Sequence, residues 1–83
     1  MDETDHLIEA VMPAVDEQLT SAETPYVKKA YDRLLAAGED ADEARRLIAY
    51  CLIDEANRMM IDQRDFDPKR YQAMLKALPD LPG

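Results

Sequence analysis

Between Thr24 and Met60 the chain spells out two helices, each with its own start and stop signals. Thr24-Pro25 opens the first: a hydroxyl that can cap, then a proline at the helical position where a missing amide costs nothing. Gly38 closes it with a residue free to turn left-handed. Asp40 opens the second, with Glu43 three residues later in capping-box position. So short a link predicts antiparallel neighbours. The second helix, about residues 41–61, constrains the fold most. Ala44, Ile48, Ala49, Cys51, Leu52, Ile53, Ala56, Met59 and Met60 spread over more than half of its circumference. Arg46, Tyr50, Asp54, Asn57 and Arg58 fill the remainder. A helix lying on a domain surface carries a narrower stripe. This one needs companions on two or more sides, which predicts an all-α bundle with this helix at its centre.

The flanking segments supply the companions. Leu7, Ile8, Val11, Met12, Val15 and Leu19 recur at helical spacing behind a capping candidate at Asp2 or Thr4. Pro13 stands inside that stretch. It removes an amide donor and crowds the carbonyl of residue 9, so the first helix is expected to be kinked or split there. Tyr26, Val27, Ala30, Tyr31, Leu34, Leu35 and Ala37 form the inner side of the second helix, and Lys28, Lys29, Asp32 and Arg33 the wet side. After a polar turn at 62–67, Asp67 caps a fourth helix, Pro68 takes its first position and Phe66 staples to Tyr71. Tyr71, Met74, Leu75 and Leu78 make its single stripe, and Pro79 ends it. The prediction is one domain over residues 1–83, a compact bundle of four helices with residues 1–3 and 80–83 frayed.

Eighteen acidic residues against ten basic ones leave a net charge of −8. That field repels a phosphate backbone and an anionic membrane, so nucleic acid and membrane are set aside as partners. No apolar run reaches spanning length. The opening Met-Asp-Glu-Thr-Asp has neither a basic nor an apolar signal region, and a single cysteine, Cys51, allows no internal disulfide. Both features lead us to expect a cytoplasmic protein.

No constellation rises to catalysis or metal binding. Glu55 is the polar residue to watch, because it falls inside the apolar arc of the third helix. A carboxylate there is either a tuned acid, base or metal ligand, or a structural group bonded to Arg58, Arg33 or a tyrosine hydroxyl. The structural reading carries more weight, since no second member of a site is visible. The one histidine, His6, belongs to the outer side of the first helix, far in sequence from Cys51. Asp62, Asp65 and Asp67 alternate like a calcium loop but lack its glycine and closing glutamate. Arg46 is expected to pair at the surface with Asp42 or Glu43. We therefore assign no catalytic, metal or cofactor-binding residue and expect no cofactor. Met59, Met60, Phe66 and Tyr71 form the candidate interaction surface, methionines being adaptable at binding faces. The function expected from these residues is a non-catalytic protein-interaction module or homo-oligomer. Two alternatives stand beside it. One is a metal-linked or enzymatic domain centred on Glu55. The other is an acidic decoy or antitoxin-like protein for a basic partner, which needs its acids gathered on one face.

Several short motifs also carry a resemblance: Glu17-Gln18-Leu19 after Pro13, Pro25, Leu34 to Gly38, Asp42-Glu43-Ala44, Glu55, Phe66-Asp67 to Tyr71, and Leu78-Pro79. On these the chain, from Met12 to Pro79, resembles a group of small bacterial helical proteins known only as a domain of unknown function. Members carry histidines before the proline and flanking the Glu-Ala pair, which imply a metal or polar site. Here the matching places hold Met12, Asp42 and Arg45 or Arg46.

Overall fold

The computed structural model describes residues 3–82, and its regular structure is helical throughout: α1 (Glu3–Thr20), α2 (Pro25–Ala36), α3 (Ala41–Asp62) and α4 (Pro68–Ala77). Met1, Asp2 and Gly83 lie outside the described residues, and with them the Asp2 cap and the outermost parts of the segments expected to fray. Glu3 already opens α1, and the Asp80 amide closes a turn on the Ala77 carbonyl at 2.9 Å.

Helix α3 packs against all three others, as its wide apolar arc requires. Its Ala44, Leu47, Ile48, Ala49, Cys51 and Glu55 are buried. They meet Ile8 and Val15 of α1, Val27, Ala30 and Leu34 of α2, and Tyr71, Leu75 and Leu78 from α4 and its end in one core. The arc is covered only this far. Leu52, Ile53 and Met59 are half-buried, and Ala56 and Met60 are exposed.

Helix α1 runs through Pro13 as one element, so the split form of the expected interruption does not occur. Pro13 and Glu9 are both exposed, so the interruption lies on the solvent side of α1 and away from the core. Ile8 and Val15, one on each side of the proline, are both anchored in the core.

Pro25 starts α2 as expected, but Thr24 does not cap with its side chain. Its hydroxyl donates instead to the Gln18 carbonyl at 2.9 Å, tying the link back to α1. Gly38, with φ +105°, ends α2 in a Schellman turn: its own amide donates to Leu35 and that of Glu39 to Leu34. The Asp40 carboxylate accepts the Glu43 amide at 2.7 Å to start α3. At the start of α4, Asp67 accepts the amides of Lys69 and Arg70. The Phe66 ring meets Tyr71 edge-on at 5.3 Å, completing the staple.

Tyr26 meets Tyr71 at 6.0 Å, and further along Arg33 donates to the Leu75 and Leu78 carbonyls at 2.9 Å each. Helices α2 and α4 therefore run in the same direction. Arg33, expected only to be wet, caps the last carbonyls of α4. Arg46 bonds Asp5 of α1 at 3.3 Å rather than Asp42 or Glu43. Arg45 takes Asp16 of α1 through two nitrogens and also meets Asp42 at 3.4 Å. Adjacent arginines thus hold α1 to α3 at two points that local helical spacing could not anticipate.

Candidate functional site

Glu55 sits at the point where α3, the 63–67 link and α4 converge, and it is fully buried. Helix α3 has no glycine to end it. Gln63 adopts the left-handed conformation instead (φ 52°) and turns the chain back along the helix. That turn brings Arg64 onto Glu55: Nη1 donates to Oε2 at 2.7 Å and Nη2 to Oε1 at 3.0 Å. The Asp67 amide donates to Oε2 at 2.7 Å, and Arg70 Nη1 donates to Oε1 at 2.9 Å. Arg70 also reaches Asp54.

The expected structural role fits this arrangement, but the partners differ. Arg58 is exposed, Arg33 is engaged at the end of α4, and no tyrosine hydroxyl bonds Glu55. The choice of partners follows from helix-end physics. In a capping box the third residue's glutamate accepts the N-cap amide. In α4 that position holds Arg70, so Glu55 performs the service from another helix and neutralises the arginine at the positive end of the helix dipole.

Four donors fill the lone-pair sites of the carboxylate. The paired Arg64 guanidinium above all, then the Asp67 amide and Arg70, overcome the effect of burial and hold its pKa down at about 2. At neutral pH it is an ion without a free acceptor site, which suits a structural clamp and gives a general base or a metal nothing to use. Among the described residues no group of three or more His, Cys, Asp or Glu side chains could hold a metal ion. Buried side-chain polar atoms among them all have partners. Cys51 is buried, and burial pushes its thiol up to about 12, with the nearby Asp54 charge adding to the effect. It behaves as a small apolar side chain. His6 is exposed.

The four residues expected to form an interaction surface separate. Tyr71 is buried, its hydroxyl donating to Gln18 at 2.7 Å and its ring held between Tyr26 and Phe66. It belongs to the core and leaves the candidate surface. Phe66 and Met59 are half-buried. Met60 is 73% exposed, and beside it Ile61 is 69% exposed. Ile61 lies at the rim of the helical pattern, where spacing does not single it out. Comparison with protein-family models, with curated proteins and with solved structures gives no match.

Proposed function

We propose that this protein is a non-catalytic interaction module that binds through the uncovered end of α3, with a second copy of the chain as its simplest partner. One observation carries the reading: Met60 and Ile61 stand side by side, 73% and 69% exposed, on a helix whose earlier turns are covered on three sides. Two large apolar side chains together at a protruding end are a natural contact point. A methionine there adapts to more than one partner shape. Around a two-fold axis the same ends would cover one another, and a domain this small gains stability by completing its apolar cover in that way. The saturated Glu55 clamp supports a scaffold role over a catalytic one.

The acidic-decoy alternative draws less support, because the ion pairs Lys28–Asp32, Arg45–Asp16 and Arg46–Asp5 interleave the two signs. No described helix is long and apolar enough to cross a membrane. The single free, buried cysteine fits a reducing cytoplasm.

Sedimentation velocity over a concentration series tests the proposal. The parent chain should show a concentration-dependent dimer that the Met60→Lys, Ile61→Lys double variant loses while keeping its helical spectrum. A strict monomer that also captures no partner sensitive to the double variant would overturn it.

A further inference from the structure

The surface between α2 and α4 has a character unlike the rest of this acidic chain. A cleft of about 210 Å³ opens there. Its floor is Tyr26, Ala30 and Leu75, and its rim carries Lys29, Arg33 and Lys76. Three of the ten basic residues of the protein thus line one cleft, and among the described residues no acid does. Lys29 and Lys76 are exposed and make no ion pair among the described residues. Among the described residues the Arg33 guanidinium bonds the Leu75 and Leu78 carbonyls and no carboxylate, so its charge meets dipoles there. The position of these cations follows from the fold. Residues 26, 29, 30 and 33 share one face of α2, and because α2 and α4 run in the same direction, that face lies along Leu75 and Lys76.

We infer that this cleft binds a small amphipathic anion, with an apolar body on the Tyr26–Ala30–Leu75 floor and a carboxylate or phosphate head between the rim cations. The volume sets the size of the body. A buried apolar cavity of about 150 Å³ accommodates a benzene-sized molecule, so a short alkyl chain or a single ring fits here. The charge sets the head. A chain of net charge −8 repels free anions in general, and only a local excess of unpaired cations in a partly desolvated cleft reverses that. The two lysines act as point charges and do not demand a planar head, so carboxylate and phosphate share the same recognition chemistry.

The test is an amide-resolved NMR titration of the full chain with octanoate, octyl phosphate and octanol. Octanoate, octyl phosphate or both should produce saturable shifts at residues 29, 30, 33, 75 and 76, with a Kd on the order of 1 mM or tighter. The anion that binds more tightly identifies the head group. Octanol should bind at least about tenfold more weakly, and Lys29→Glu with Lys76→Glu should weaken the anion by a similar factor. Both lysines are exposed and unpaired, so the variant should keep its melting temperature, and Lys29→Gln with Lys76→Gln gives an intermediate affinity that separates charge from fold. No saturable shift with either anion, equal binding of octanol, or unchanged affinity in the charge-reversed variant would each overturn the inference.

Discussion

The two ends of α3 are built from the same kinds of residue and meet opposite fates. From Ala44 to Cys51 its apolar core side chains Ala44, Leu47, Ile48, Ala49 and Cys51 are covered by α1, α2 and α4, and Ile48 is completely buried. From Ala56 onward the arc continues in sequence, yet Met60 and Ile61 stand in water. A hydrophobic arc states a need for cover; whether cover arrives depends on where the next segment goes. Gln63 reverses the chain, and by Asp67 the backbone has come back level with Glu55, to which its amide donates. Helix α4 therefore begins beside Glu55 and covers the turns before it, while Met60 and Ile61 at the end of α3 stay exposed. Glu55 marks the boundary, because its four bonds hold the reversal in place.

The sharpest way to break this contrast is to truncate the covered half. Ile48→Ala should cost about 4 kcal/mol, from lost transfer energy plus the cavity left among side chains on three sides. In a domain of this size that is a fall in melting temperature on the order of 20 °C. Urea denaturation at neutral pH measures it, and a loss below about 1 kcal/mol would mean that the first half is not a closed core.

Next comes the boundary itself. Glu55→Gln keeps the shape but removes the charge that Arg64 and Arg70 share. We expect a loss of about 3 kcal/mol, toward the low end for breaking a buried pair because both arginines reach solvent. The same residue gives a pH signature. Its folded pKa is about 2, below an unfolded value near 4.3, so its contribution is fully present above roughly pH 5 and is lost as pH falls toward 2. The difference in stability between the parent and the glutamine variant should therefore shrink across that acidic window. A difference that stays constant from pH 6 to about pH 2.5 would show that the carboxylate bonds carry no net stabilisation.

Much of this contrast is legible in the residues themselves, and the part that is not has a common cause. Gly38, the Asp40 and Asp67 caps and the Phe66–Tyr71 staple all act within a few residues, so spacing alone identified them. The central position of α3 was legible because a wide arc needs several neighbours whatever their identity. The partners of Glu55 were not legible. Arg64 reaches it only because a glutamine takes a left-handed φ that sequence reserves for glycine, and Arg70 only because α4 starts where it does. Arg45 and Arg46 likewise bond across helices rather than along one. Tyr71 fits both the packing stripe of α4 and a surface beside Phe66, because the staple predicts contact with Phe66 but is silent about the hydroxyl, which donates to Gln18 at 2.7 Å on another helix.

The smallest expected effect completes the comparison by repeating its largest on the other half of the helix. Ile61→Ala removes the same atoms as Ile48→Ala, from a side chain that is 69% exposed instead of one that is 0% exposed. With no cavity to leave and little transfer energy to lose, the monomer should change by less than about 0.5 kcal/mol. Measured at low concentration, that near-zero value isolates folding from association. Repeated at high concentration, the same truncation should become destabilising if a second copy covers this end, because a contact made only between folded chains stabilises by mass action. An Ile61→Ala cost that is large when dilute would place this turn inside the core; a cost that stays negligible at every concentration would leave the end of α3 without a self-partner.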